Sequence, residues 1–325
     1  MISVISVVLL WSVASSHAQH QQRLNPVIEL LEQSKPVFGV YAPSAFPPGG
    51  RRGAAPSPDA PAKSPDDVAR QALAYQPADF LFNGSMEDGV DRGLPAFTEF
   101  MRATANAGAL VRGPFPRLPH PLVIKTSKIA DDPPEKVVSN ISRQLNLGTS
   151  GIMFVEAESA DEVKRGLSAM RFKSQGGTRP EDVGTAPQYW GLTEQEYKRK
   201  ADLWPLNPDG ELINWTIVES KEGLAHVREI AAVKGIGVLW PGAGTLRQVF
   251  SSTGASGERV VDQAAWENAI QQVLAACKEF KVPCGYPASA NDIEMRMKQG
   301  FSVFVMSWSD AGFKAIEIGR KLAGR

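Results

Sequence analysis

No block of like charge occurs in this chain, and its 35 lysine and arginine side chains are cancelled by 35 aspartate and glutamate side chains. Gripping nucleic acid or an anionic membrane takes a basic stripe that neutralises phosphates, so neither partner is expected. Histidine is scarce. Only 4 occur: His17 and His20 near the N-terminus, His120 before an apolar run, and His226 within a helical pattern. They form no constellation with zinc spacing. Cysteine is scarcer, with 2 residues, Cys277 and Cys284. Their spacing is not that of a zinc site. A helix and the strand after it rarely hold Cβ atoms at bridging distance, so the pair reads as two buried free thiols. No apolar run approaches the roughly 20 residues of a membrane-spanning helix.

The N-terminal stretch needs its own reading. Residues 5–13 are apolar, and Ser16-His17-Ala18 follows the small-x-small pattern of a cleavage site. Residues 1–18 therefore read as an export signal, although no lysine or arginine precedes the apolar stretch. The mature chain then starts at Gln19 and is periplasmic or secreted. A mis-assigned start or a disordered leader is the rival reading and would leave the protein in the cytoplasm.

What is present is a regular alternation. Continuous apolar runs at 36–41, 79–82, 122–126, 152–157, 212–218, 236–240, 283–286 and 301–308 are each followed by a helical pattern. Unbroken apolar runs suit parallel strands covered by helices. Eight strand–helix units over roughly 290 residues fit a closed (β/α)8 TIM barrel. A doubly wound sheet is the rival, and the regularity favours closure. The reading is one domain over 19–325. A proline-, alanine- and glycine-rich loop at 42–65 is expected on the barrel mouth, with Ser64 capping the helix after it. A long inserted segment at about 172–210 carries Tyr189, Trp190 and Trp204 and a short helix at 193–200.

The richest stretch is 212–247. An apolar strand ends in Glu219, a helical pattern follows, and the next strand ends in Pro241-Gly242-Ala243-Gly244. In α/β proteins chemistry sits at the C-terminal ends of strands. The bland alternative is an ordinary crossover in which Glu219 helps to cap its helix. Other acids near strand ends are Glu87 and Asp88, Glu156 and Glu158, and Asp310. Of Glu156 and Glu158, near the end of the fourth strand, Glu158 is taken as the one that points inward. For each of these acids a solvated loop carboxylate or a helix cap is the competing role. Lys125 ends the third strand. It reads as an oxyanion holder, then as an ordinary paired lysine, and last as a Schiff-base nucleophile. Arg171 and Arg179 flank Gly176-Gly177 and read as a clamp for an acidic substrate group or as plain loop arginines.

The 217–246 stretch closely resembles the metal-dependent pyruvate aldolases, the family of 4-hydroxy-2-oxoheptanedioate aldolase and the citrate lyase β-subunit. Glu158-Ser-Ala-Asp-Glu-Val with Met170-Arg-Phe-Lys-Ser-Gln-Gly-Gly-Thr-Arg179, and Trp308-Ser-Asp310, are similar to further family motifs. The resemblance spans about residues 24–322. It implies a (β/α)8 barrel and a carbon–carbon lyase that acts on 2-oxo acid or hydroxy diacid substrates through a metal-stabilised enolate. It also implies Mg or Mn as cofactor, a small-molecule carboxylate as partner, and a homo-oligomer. Carried over residue by residue, it makes Glu219 a metal ligand and gives Gly242 and Ala243 to the substrate carboxylate. Three positions depart. The second metal-binding aspartate is replaced by Gly244 or Thr245. The strand-three arginine is Lys125, which keeps the charge and loses the bidentate fork. The general-base histidine falls near Met86. Glu158 is the candidate replacement metal ligand, and Lys125 and Glu87 are the candidate catalytic residues. Two further readings stay open: a barrel that binds a carboxylate without turnover, and a metal-free lyase built on Lys125.

Overall fold

The computed structural model describes residues 22–43 and 63–325. The leader and most of the 42–65 loop lie outside the described residues. Eight parallel strands form the barrel, namely Val37–Tyr41, Phe80–Asn83, Leu122–Lys125, Gly151–Phe154, Leu212–Val218, Ile236–Pro241, Gly285–Tyr286 and Val303–Met306. They are numbered strands one to eight in that order. Each pairs with its neighbour in chain order from one to six, strand seven pairs with eight, and eight returns to one. Closure between six and seven rests on a parallel bridge from Leu239 to Cys284, with the Leu239 N–H donating to Pro283 O at 2.9 Å. The expected TIM barrel is present. Among the described residues no helix is long and apolar enough to cross a membrane.

Two apolar cores follow from strand alternation. Side chains facing the axis, including Phe80, Phe82, Met153, Trp215, Trp240 and Val305, fill the barrel interior. Trp215 stacks on Trp240 with ring centroids 5.5 Å apart. Side chains facing outward pack against the helices. A helix that the strand pattern does not foresee, Pro26–Glu32, plugs the N-terminal end with Val27, Ile28 and Leu31. Its start is chemically explicit: Asn25 accepts from the Val27 N–H and proline opens the first turn. Ser64 caps helix Pro65–Ala74 through the Asp67 N–H, as its position before Pro65 predicts. Helix Ala160–Met170 follows strand four, with Ser159 accepting the Glu162 N–H at its start. The connection from strand six to strand seven consists of helix Ala243–Val249, an antiparallel pair Ser251–Thr253 and Arg259–Val261, and then helix Gln263–Phe280.

The reading of two free thiols is corrected. Cys277 and Cys284 form a disulfide, with Cα atoms 5.7 Å apart. The connection from helix Gln263–Phe280 is a tight turn through Lys281 in the left-handed region, φ 56°. It folds the chain back within four residues, bringing the last helical turn against the start of strand seven and inside bridging reach. The bridge therefore pins the barrel at its closure. Closing a seven-residue loop removes denatured-state entropy worth about 2 kcal/mol. We expect the Cys277→Ala/Cys284→Ala variant to lose about that much stability in a urea titration read by far-UV circular dichroism. An unchanged midpoint would show that the bridge adds nothing.

Candidate active site

Parallel strands deliver their C-terminal residues to one rim, and that rim holds a cavity of about 300 Å³. Its floor is apolar, made by Phe82, Met153 and Trp240, and its walls carry Lys125, Glu219 and the Gly242–Gly244 turn. A second cavity of about 630 Å³ opens beside it and shares Glu219 and Thr245. Glu87 and Glu156 line this outer space.

Glu219 follows the last residue of strand five and is 6% exposed. Its helix-capping role falls to its neighbour: Ser220 Oγ accepts the Gly223 N–H at 3.0 Å. The Glu219 carboxylate is thereby left for the cavity. Its one hydrogen bond among the described residues comes from the Glu156 N–H, at 3.2 Å, and no cation there pairs with it. Gly242 is explained by the same group. A Cβ at 242 would collide with the Glu219 side chain, so glycine is required by close approach rather than by its φ of −72°. The Gly242 N–H is taken by Val218 O, whereas the following residues begin helix Ala243–Val249. At Gly244 an added Cβ would meet nothing within 4 Å.

Lys125 ends strand three and is 8% exposed. Its ammonium donates to Glu87 Oε1 at 2.8 Å. The structure thus brings together the two side chains proposed for chemistry, and it does so at the wall that Glu219 shares. Met86 is fully buried.

The choice of Glu158 over Glu156 is corrected. In an extended strand residues two apart share a face, so alternation gives no ground for choosing between them, and strand four already stops at Phe154. Glu156 takes the left-handed conformation, φ 50°, which breaks the extended backbone after the strand. Glu156 lines the outer cavity next to Glu219. Glu158 instead accepts from Lys128 Nζ at 2.9 Å and from Ser220 Oγ at 2.7 Å. The Lys128 hydrogen bond holds its carboxyl below the usual glutamate range. His226 divides its helix into Lys221–Ala225 and Val227–Ala231 and faces the Glu158 carbonyl at 3.0 Å through Nδ1. Asp310 is an exposed residue at the start of helix Asp310–Leu322, and Asp88 pairs with Arg92.

Arg171 and Arg179 are not at this rim. Helix Ala160–Met170 runs back from the mouth, so the 171–210 segment connects a helix to a strand at the N-terminal end of the barrel. Arg171 there makes two hydrogen bonds to Asp202, at 2.6 and 3.0 Å. Arg179 is fully buried over the Phe172 ring, 4.1 Å from its centroid, and donates to Asn146 and Tyr197. Trp190 and Tyr197 are buried in the same packing and donate to the Gly148 and Leu145 carbonyls just before strand four. Tyr189, Trp190 and Tyr197 serve this packing, while Trp204 lies against the barrel-interior cluster at the same end. The clue is in the element order: loops that follow helices lie opposite the mouth. His120 sits at that far end too, buried and bonded to the Tyr75 carbonyl; burial pushes its pKa down.

No family model matches the chain. It is 25% identical over 208 residues to 5-keto-4-deoxy-D-glucarate aldolase of Salmonella gallinarum, covering 60% of this chain and 72% of that one. A solved HpcH/HpaI aldolase/citrate lyase family protein from Burkholderia cenocepacia superposes with a TM-score of 0.62. That likeness has 21% identity and covers 92% of this chain and 98% of the other. Protein CitE from Mycobacterium tuberculosis, solved with magnesium and acetate, superposes with a TM-score of 0.50 at 14% identity, over 90% of this chain and 93% of that one.

The packing assigns Arg171 a measurable role. Desolvation raises the Asp202 pKa, but the hydrogen bonds from Arg171, Asn207 and the Leu203 N–H outweigh it and hold the carboxyl below the usual aspartate range. A lowered folded-state pKa stabilises the fold above the unfolded-state value. That contribution fades as pH falls through the folded-state value. Arg171→Met leaves a buried, half-satisfied carboxylate and should cost on the order of 3 kcal/mol at neutral pH. The loss should shrink on acidification, with KM unchanged for any substrate. A raised KM at unchanged stability would return Arg171 to substrate binding.

Proposed function

Because the chain belongs to the superfamily of class II pyruvate aldolases and citrate lyase β-subunits, we propose that it is a carbon–carbon lyase acting on a 4-hydroxy-2-oxo acid or a related hydroxy diacid. One observation carries this reading: a buried carboxylate without a cation partner among the described residues, Glu219, on the wall of a mouth cavity that also holds Lys125.

Retro-aldol cleavage takes a proton from the C4 hydroxyl, breaks the C3–C4 bond and leaves the electron pair as an enolate on the 2-oxo oxygen. Protonation at C3 then releases the second product. Lys125, its Nζ held at 2.8 Å from Glu87 Oε1, brings fixed positive charge to the oxygen that becomes negative. Glu87 is the carboxylate placed to accept the hydroxyl proton, since no histidine among the described residues lines the cavity. The apolar floor of Phe82, Met153 and Trp240 excludes water from beneath the substrate, which strengthens each charge interaction. The Gly242 turn brings backbone close to the Glu219 side chain and keeps that wall free of bulk.

The donor set at the rim fits a divalent ion through one protein carboxylate. A buried carboxylate without a counter-charge is costly, and hard ions accept one or two carboxylates with substrate oxygens and water completing the shell. Glu219 would hold Mg or Mn, and the ion would supply Lewis-acid charge for the enolate. Glu158 is committed to Lys128 and Ser220 and does not enter this set. The second family ligand is missing because Gly244 has no side chain, and the space beside it is open. A homo-oligomer remains part of the proposal on the strength of the family resemblance. Export does as well, supported by the disulfide, since such bridges persist in oxidising compartments.

The test is a thermal-shift titration with Mg²⁺ and Mn²⁺, with and without oxalate as a 2-oxo acid mimic. Binding to the folded state alone stabilises by about 3 kcal/mol at hundredfold excess over Kd. A shift that needs both ion and oxalate, and is absent in Glu219→Gln, is the expected outcome. A shift with oxalate alone, unaffected by the ion, would favour a carboxylate-binding barrel over this mechanism. Gly244→Asp should tighten the ion by at least about tenfold, close to 1.4 kcal/mol. Lys125→Met should lower kcat/KM by about 100-fold, roughly 2.7 kcal/mol of transition-state charge stabilisation. Unaltered turnover in Lys125→Met would remove it from the mechanism.

A further inference from the structure

At the end of the barrel opposite the mouth lies a concavity of about 990 Å³, more spacious than either cavity at the mouth. Leu31, Ile236 and Leu274 line it with apolar surface, and Trp204 adds a ring face. Its rim carries Lys35, Lys234, Lys278 and Lys281, all exposed, and among the described residues no acidic side chain lines it. None of the four lysines makes an ion pair among the described residues. The lysines of the mouth behave differently: Lys125, Lys128 and Lys136 are all paired with carboxylates.

Chain direction explains how the four charges converge. Each sits at or just beyond the end of a helix, Pro26–Glu32, Val227–Ala231 or Gln263–Phe280, on the way into a strand. Helix C-termini attract cations, but each carries only roughly half a negative charge. Four full positive charges therefore leave the concavity net positive. Two of its turns are held by non-glycine residues in the left-handed region, Ser34 at φ 53° and Lys281 at φ 56°. Such a conformation is costly for a lysine, yet it projects Lys281 at the rim. Lys278 lies over Gly300, within 3.7 Å of where a Cβ would sit.

We propose that this basal cavity binds an amphipathic organic anion, its apolar body on the Leu31–Trp204–Leu274 surface and its carboxylate, sulfonate or phosphate head among the four ammonium groups. The site is separate from the mouth, because the strands that carry the chemistry end at the other face. Cys277 and Cys284 form part of its wall, so an occupant bears on the place where the barrel closes.

Anilinonaphthalene sulfonate, an aromatic monoanion whose emission rises in apolar surroundings, is the probe. Titrated into the full chain, it should bind saturably at one site with a Kd weakened by added salt, and oxalate should not displace it. Lys234→Glu/Lys281→Glu should weaken binding by at least about tenfold at an unchanged lyase rate. Lys35→Gln/Lys278→Gln, which adds no new charge, serves if the first variant does not fold. The uncharged phenylnaphthylamine should bind at least tenfold more weakly, again about 1.4 kcal/mol. Equal affinity in both double variants, equal affinity for the neutral analogue, or displacement by oxalate would each overturn the proposal. So would self-association of the chain that blocks the probe, since the face would then be an interface between copies.

Discussion

Closure of the sheet between strands six and seven is the constraint on which the remaining structure depends. Strand seven is two residues long, and its backbone pairing with strand six is a single bridge, Leu239 to Cys284. Without that contact the eight strands form an open sheet with an edge, and the axis-facing side chains lose their common interior. The molecule reinforces the joint twice. Trp240, at the end of strand six, lies against Gly285, where any Cβ would clash with the indole. The Cys277–Cys284 disulfide ties helix Gln263–Phe280 to the start of strand seven. The same Trp240 forms the floor of the mouth cavity, so closing the barrel and shaping the site are one packing event.

Direction divides the molecule into two functional faces. Parallel strands carry Lys125, Glu219 and the Gly242 turn to one rim, where buried polar groups meet a water-excluding floor. Helices return the chain to the other rim, where Arg171, Arg179 and the aromatic segment are consumed in packing and lysines gather at helix ends. Proximity in sequence to a barrel strand therefore says little until the side of the strand is known.

Much of the fold is legible in the sequence because its signals are local. Ser64 before proline marks a helix start, and Ala160–Met170 has the apolar spacing of one. Continuous apolar runs mark strands buried on both faces. Glu219 is legible as well, because a carboxylate ending such a run falls at a strand's C-terminal end. The misreadings share a cause, which is local inference carried past the end of an element. Preferring Glu158 treats positions two apart as opposite, whereas an extended strand puts them on one face, and strand four has ended at Phe154 with Glu156 in a left-handed conformation. Keeping the cysteines apart assumes a wider turn than the one Lys281 makes. Sending the arginines to the mouth lets a motif match outweigh the element order.

The sequence by itself determined the alternation of strands and helices, the acid and the small-residue turn at two strand ends, and the loss of a carboxylate at Gly244. These are properties of residue type and short-range spacing. Only the tertiary structure decided that Lys125 meets Glu87, that Ser220 takes the capping role and leaves the Glu219 carboxylate to the cavity, and that Cys277 reaches Cys284. Those contacts depend on where separate segments are placed around a closed barrel, on backbone conformations of single residues, and on which face of the barrel each connection crosses. No local pattern encodes that placement, because it is a balance of packing over the whole ring of strands.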